Sequence, residues 1–510
     1  MVESIRLGNF MAFQDTGWIE LRPVCLLFGR NSSGKSAIIR ALRLLRQSLD
    51  ESDGNSPLTF VAEMGVDQGS YKSTAHGGAI LVESNDEQSA RVVWPRISFE
   101  FRCQLTDTID LLRRLTNEYR TLHGQSQIPH SSPEKSVELK LIYAWNQGTQ
   151  LDEIRIRAPW SVDGDENHRD LVVATRLDYE TGLKMGETWW IHSDILRAKG
   201  GHTEGADWSG VAFETLSGFF PAPDFSNTLG GERETLPDEC VLVADVLGEL
   251  RRDIGDFLRN CHYLGPMRPD PHRVYTLDTV EQQRWRDRGL AGYLSFLSGQ
   301  GDPTLKQELD SWLEHLALAE SVEPDTGSYR GRSAVVSELM FTESDMEDRV
   351  NLIDMGFGAS QILPVLVQSF AAGETAQMGE QDCQVIVEQP ELHLHPRCQA
   401  QLADFFVDVC HRNWRREARR AKEKERLVPK PGSVPEARFL IETHSEHLLL
   451  RFRRYVAAAT LRRLQEQQSD PPAEDIGLKR EDIVNNIARR VSHASFVHPI
   501  EINEFGDIID

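Results

Sequence analysis

Three short stretches of the chain are apolar without interruption: Val24-Cys25-Leu26-Leu27-Phe28, Val385-Ile386-Val387 and Phe439-Leu440-Ile441. Strands covered on both faces, as in a parallel sheet, read this way, whereas a strand with one wet face alternates. Alternation appears elsewhere. Residues 4–10 and 18–21 read as strands, 91–103 as another, and 137–143 with 152–157 as a β-hairpin around Asn146-Gln147-Gly148. A second pair, 171–179 and 187–192, flanks Glu180-Thr181-Gly182. Helical spacing predicts helices over 37–49, 105–123, 360–371 and 397–410, and a mostly helical block over 241–261 that resumes over 280–320. Strands are expected again at 337–342, 383–388 and 438–442, and loops across most of 51–90 and 195–235, where Gly, Ser and acidic residues concentrate.

This order predicts an α/β fold whose main sheet, mixed or parallel with flanking helices, is split in sequence. Residues 1–50 supply its first part and 336–460 its last; 51–335 form an inserted α+β region and 461–510 a C-terminal extension. Neither an internal repeat nor sustained heptads interrupt that scheme.

The length of 510 residues and an apolar fraction of 40% support a sizeable core. The apolar runs fall short of the roughly 20 residues a membrane-spanning helix needs, and Met1-Val2-Glu3-Ser4-Ile5 starts a strand and not a secretory leader. A cytoplasmic protein is expected. The seven cysteines are scattered and contain no Cys-x-x-Cys, which argues against a disulfide framework or a zinc knuckle. A net charge of −23 excludes coating nucleic acid with the whole surface. Any such contact must be local, and the basic stretch 411–430, with Arg415, Arg416, Arg419 and Arg420 at helical spacing, is its candidate for DNA or an acidic partner. A solvated helix explains the same residues.

Chemistry concentrates after the apolar strands. Gly29-Arg30-Asn31-Ser32-Ser33-Gly34-Lys35-Ser36 follows the first, immediately before a helix. A Gly-rich turn of this kind points backbone N–H groups at phosphates, the lysine reaches the terminal phosphates, and the Ser36 hydroxyl suits magnesium. The second strand ends in Glu388-Gln389-Pro390-Glu391, placing Glu388 where a phosphate-loop enzyme holds its magnesium. The third ends in Glu442-Thr443-His444, and a histidine there can face the γ-phosphate or position water. Gly356-Phe357-Gly358-Ala359-Ser360-Gln361 opens a helix, with Ser360 as its cap, and offers a second phosphate-facing set of N–H groups. The pairs His393/His395 and His444/His447 lack cysteines at zinc spacing. Glu138-x-Lys140 resembles a nuclease element but is explained by alternation on a hairpin strand. Arg268, Arg273 and Trp189-Trp190 are left without a role.

With these motifs the chain resembles the ATP-binding-cassette ATPases of the SMC, RecF and Rad50 group, and most closely the OLD-like ATPases of bacterial defence systems. The likeness covers residues 1–50 and about 335–460. It makes residues 29–36 the Walker A loop, Val385 to Glu391 the Walker B strand, Leu392 to Pro396 the D-loop region with its His-Leu-His-Pro, His444 the switch histidine and residues 356–361, with Gly358, Ser360 and Gln361, the signature loop. It implies ATP and Mg2+ as ligands and a homodimer or higher oligomer whose heads share ATP. Two departures stand out. The family's Leu-Ser-Gly-Gly-Gln is missing, and Gln389 occupies the place of the catalytic glutamate. Glutamine orients water but accepts no proton, which implies slow hydrolysis, a base role for Glu391 or His444, or ATP used as a long-lived clamp.

Little chain follows His444, so a Toprim nuclease domain of the OLD kind is not expected within this sequence. Two functions follow from the resemblance: an ATPase that scaffolds or licenses a separate effector, such as a nuclease, in anti-phage defence, or a RecF-like repair ATPase that binds DNA itself.

Overall fold

A computed structural model describes residues 2–50, 56–62, 67–83, 90–104, 136–145, 148–157, 170–175, 190–192, 219–220, 238–268, 270–277, 291–298, 303–328, 335–342, 349–424, 426–430, 433–466, 483–491, 494–502 and 508–509. The helix expected at 105–123, the turn at 180–182, Trp189, nearly all of 195–235 and residues 278–290 lie outside them. The chain folds into two compact units, one of residues 1–20, 36–259 and 490–497 and the other of 21–35, 260–489 and 498–510.

The first unit is built on an antiparallel sheet in the order Trp190–His192, Asp170–Thr175, Thr149–Arg157, Ser136–Trp145, Ile97–Gln104, Val2–Phe10, Phe13–Asp15. Its hairpins stand where alternation predicted them. Phe10, Phe99 and Tyr143 pack edge to face in the core, with ring centroids 5.5 and 5.8 Å apart. The outward residues pair across strands: Arg102 meets Glu138 and Lys140 meets Glu100, each at 2.7 Å. Those partners account for Glu138-x-Lys140 without chemistry. The segment expected as a loop at 51–90 contains a short helix, Tyr71–Thr74, and the strand Ile80–Glu83, which pairs with Ala90–Val93.

The second unit carries five successive strands that pair in parallel, in the order Ile483–Val491, Val24–Phe28, Ala437–Thr443, Cys383–Glu388, Cys261–Leu264. The three uninterrupted apolar runs are their centre, where consecutive residues, facing opposite sides, are alike buried. The strands on both sides of this centre correct the expected layout. The helix read over 241–261 ends at Arg259, and Cys261–Leu264 is a strand beside Cys383–Glu388, so a piece of the supposed insertion belongs to the nucleotide-type sheet. The extension 461–510 supplies the strand on the other side of Val24–Phe28. The strand foreseen at 337–342, observed as Val335–Thr342, is not in this sheet; it forms a separate antiparallel one with Tyr275–Leu277, Ser321–Ser328 and Arg349–Asn351.

Helices Phe357–Gly379, Pro396–Cys410, Arg412–Glu423 and Glu446–Glu466 complete this unit. The first starts at Gly356 and not at Ser360, which makes Pro364 an interior residue that leaves the Ser360 carbonyl without its i+4 donor. Gly292 sits where an added Cβ would lie 2.3 Å from Ala371 Cβ, so the helix Ala291–Leu297 approaches this long helix through a glycine. Among the described residues no helix is long and apolar enough to cross a membrane.

Arg412–Glu423 is anchored by one buried carboxylate. Glu436 accepts from the backbone N–H groups of Asn413 (3.1 Å) and Trp414 (2.6 Å), the first-turn donors that have no partner within a helix. Burial nevertheless pushes its pKa from 4.5 up to about 8. A carboxyl that holds its proton more tightly when folded contributes stability that is complete below the unfolded value and is lost as pH rises through the folded one. Unfolding midpoints should therefore fall between pH 5 and pH 8, and Glu436→Gln should flatten that fall by at most about 1.4 kcal/mol per pH unit, the limit for one proton. Denaturant melts at several pH values read this directly; equal slopes in both proteins remove Glu436 as the source.

Candidate functional site

The loop after Val24–Phe28 runs into the helix Lys35–Asp50. Gly29, Ser32 and Gly34 have φ of 146°, 59° and 101°, while Arg30, Asn31 and Ser33 do not have positive φ. Alternation of this kind turns backbone N–H groups inward into an anion-binding nest. Ser32, a non-glycine residue in the left-handed region, carries strain on the order of 1 kcal/mol. The buried Ser33 hydroxyl has no hydrogen-bond partner among the described residues.

Lys35 lies inside the loop, 3% exposed. Its Nζ donates to the carbonyl oxygens of Gly29 and Arg30, each at 2.9 Å, and stands 4.0 Å from Glu442 Oε1. Burial lowers the pKa of this ammonium, and Glu442 and Glu391 oppose that shift. Glu442 was not singled out in the sequence. Its neighbours Phe439-Leu440-Ile441 marked it as a strand end, but only the sheet register, which sets it beside Glu388, shows that two adjacent strands each end in a carboxylate.

The turn after Cys383–Glu388 is held from several sides. Tyr263 Oη donates to Glu388 Oε1 at 2.9 Å, and Gln389 N donates to the Glu442 carbonyl at 2.7 Å. Gln389 has a φ of 47°. Arg268, 6% exposed, donates from Nη2 to the Glu388 carbonyl (2.9 Å) and from Nη1 to those of Gln389 (3.1 Å) and Pro266 (3.2 Å). Its pKa is lowered to about 10 by burial, with Glu391, Tyr263 and Glu388 acting in the opposite direction.

Glu391 and His444 meet differently from the expectation that either stands ready as a base. Glu391 is 7% exposed, and its Oε1 accepts from the backbone N–H of His444 at 2.7 Å. The carboxylate thus ties the two loops. A second tie runs from Ser445 Oγ to Gln399 Oε1 (2.8 Å), and Ser445 also accepts from Leu448 N (3.1 Å) at the start of the Glu446–Glu466 helix. The His444 pKa is lowered by burial and then by Lys35, which keeps the imidazole neutral at pH 7 and able to donate one N–H. His393 instead packs edge-on against Phe357 at 4.8 Å, and His395 caps the Pro396–Cys410 helix by accepting from Arg397 N at 3.3 Å.

The second glycine loop is not joined to this cluster by any hydrogen bond or ion pair among the described residues. Ser360 is not the helix cap: its Oγ donates to the Phe357 carbonyl at 2.8 Å, one turn inside the helix, and it is 2% exposed. Gln361 is buried in the same turn, and Gly358 lies so close to the His393 carbonyl that a Cβ would stand 3.2 Å from it. Gly356 and Phe357 are exposed. On the basic helix Arg415 pairs with Asp408, Arg416 with Glu308 (3.0 Å) and Arg420 with Glu417 (2.8 Å), while Arg419 is exposed. Arg273 pairs with Asp354 at 2.7 Å.

The arrangement offers an anion nest, a buried lysine, two adjacent strand-end carboxylates, an amide at residue 389 and a neutral imidazole. Glu388 carries a hard oxygen donor of the kind that magnesium prefers. The chain matches no protein-family model and no curated protein. Among solved structures it is similar to an SMC head bound to the C-terminal winged-helix domain of ScpA, with 9% identity, 99% of this chain and 98% of the other covered and a TM-score of 0.36. An SMC head domain from Thermotoga maritima gives 8% identity, coverage of 98% and 99%, and a TM-score of 0.36.

Lys35→Ala removes the cation to which terminal phosphates would bond and leaves Glu442 buried beside them. Charged hydrogen bonds contribute roughly 1.5–3 kcal/mol, so ATP affinity should fall by about 10- to 150-fold in calorimetric titration. Affinity equal to that of the unaltered protein would remove the loop from nucleotide binding.

Proposed function

We propose that this chain binds ATP and hydrolyses it slowly, as an ATPase of the ATP-binding-cassette head type. The observation that carries the reading is the convergence of Lys35, Glu388, Gln389, Glu442 and His444 at the C-terminal ends of three adjacent parallel strands, the usual position for ligands of such sheets. Residues 29–36 bind the phosphates through backbone N–H groups and Lys35. Ser36 and Glu388 would hold magnesium, which when bound neutralises charge on the phosphate oxygens. Gln389, whose side-chain amide is held by no hydrogen bond among the described residues, orients the attacking water, and His444 donates toward the γ-phosphate.

The same reading, through the family resemblance, extends to partners. Gly356 and Phe357, exposed at the start of a long helix, offer a surface for the nucleotide of a second copy, giving a homodimer or higher oligomer closed by ATP. A separate effector protein, licensed by that assembly in antiviral defence, fits a slow enzyme better than a motor does. The RecF-like alternative, direct DNA binding by Arg415, Arg416, Arg419 and Arg420, has less support, because three of these four cations already face carboxylates within the chain.

Two measurements test this. Light scattering of the purified protein should show a larger molar mass with ATP and Mg2+ than without, and an unchanged mass would remove the ATP-closed oligomer. Gln389→Glu should raise steady-state turnover while weakening ATP binding, since it adds both a base and a negative charge. If the rate stays the same, Gln389 does not limit hydrolysis.

A further inference from the structure

The fork of Arg268 is buried against backbone and not against a carboxylate. Its two terminal nitrogens donate to the carbonyls of Glu388 and Gln389, and Nε, also buried, has no partner among the described residues. Consecutive carbonyls of an extended strand point to opposite sides. Both can meet one guanidinium here because Gln389 adopts a left-handed conformation, with φ of 47°, that reverses the chain between them. That conformation is unfavourable for a residue with a side chain. The Gln389 N–H is engaged by the Glu442 carbonyl at 2.7 Å. The backbone of residue 389 is therefore fixed at both its N–H and its C=O, and only the side-chain amide is left to act.

We propose that Arg268 is a positioning residue for Gln389: by holding the two carbonyls it keeps the strained turn in place and so aims the amide at the water that attacks the terminal phosphate. The inference rests on the ATPase reading above. It differs from a role for Arg268 on the phosphates themselves: three of its five N–H groups, on both terminal nitrogens, already donate to backbone carbonyls of residues 266, 388 and 389. Lysine is not a substitute, because a single ammonium does not reproduce the planar fork.

Three readings on the full chain decide it. In single-turnover assays with ATP and Mg2+ at saturation, Arg268→Ala and Arg268→Lys should both slow hydrolysis by about 10- to 100-fold, the usual consequence of misplacing a reacting group by about 1 Å, while ATP affinity changes less than about threefold. A variant that loses affinity by tenfold or more with an unaltered single-turnover rate makes Arg268 a phosphate ligand and overturns the proposal. The double variant Arg268→Ala with Gln389→Ala should be no slower than the slower single variant, because one residue acts through the other; independent, additive losses also overturn it. Hydrogen exchange on the nucleotide-free protein supplies the third reading. Arg268→Ala should speed exchange of the Gln389 amide while Val385 to Val387 stay protected, and no change there overturns the anchoring. Should the unaltered protein bind no ATP, the ATPase reading falls by that result alone, while the exchange measurement still tests the anchor.

Discussion

A lysine ammonium that is 3% exposed has to find its partners inside the protein, and much of the second unit is arranged around that requirement. Lys35 meets two loop carbonyls and the carboxylate of Glu442. Removal of a charge from water is tolerated only when it is paired and hydrogen-bonded. Glu442 is available because its strand lies directly beside Val24–Phe28, and Glu388 stands one strand further on in register with it. The pairing order of three strands thus fixes where the cation and the carboxylates can be. A different order would leave Lys35 without a counter-charge.

What was legible in the sequence follows from the same sheet. A strand buried on both faces has no freedom to alternate, so Val24-Cys25-Leu26-Leu27-Phe28 and its two counterparts announce themselves, and the candidate site residues at their ends come with them. The edge strand Cys261–Leu264 does not. Cys-His-Tyr-Leu is too short to show a period of its own, and only Asn260 separates it from Arg259, the end of a 22-residue helix. Glu442 was hidden for another reason: its importance lies in register with a strand more than fifty residues away. Arg268 read as a loop residue because arginine is so seldom buried, and nothing local says that two carbonyls wait for it.

The helix Phe357–Gly379 shows how a cap is misread. Ser360 has the residue type of an N-cap, but its hydroxyl bonds back to Phe357, and Gly356 takes the cap position without a side-chain bond. The apolar stretch from Ala359 to Val367 is buried on every side, so helical spacing could not mark where it begins. The basic helix misleads in the opposite sense. Its cations are dense in sequence, yet Arg412 pairs with Glu308 and Glu374 and most of its neighbours also find acids. In a chain of charge −23 the carboxylates needed to absorb a local positive run are plentiful.

Charge counting also gives the glutamine a physical meaning. Leaving aside the exposed Arg30 of the loop itself, two cations, Lys35 and Arg268, and three carboxylates, Glu388, Glu391 and Glu442, stand together here, so with a neutral His444 these groups are already negative by one. A glutamate at 389 would make them negative by two, in a region where burial weakens the screening of each charge. The incoming triphosphate is itself strongly anionic. Glutamine keeps the hydrogen-bonding shape of the side chain while removing that repulsion, and it gives up the proton acceptor in the same step. On the proposed reading, tight retention of ATP and slow hydrolysis would be two results of one side chain, and the left-handed turn pinned by Arg268 would hold its amide where water must be oriented.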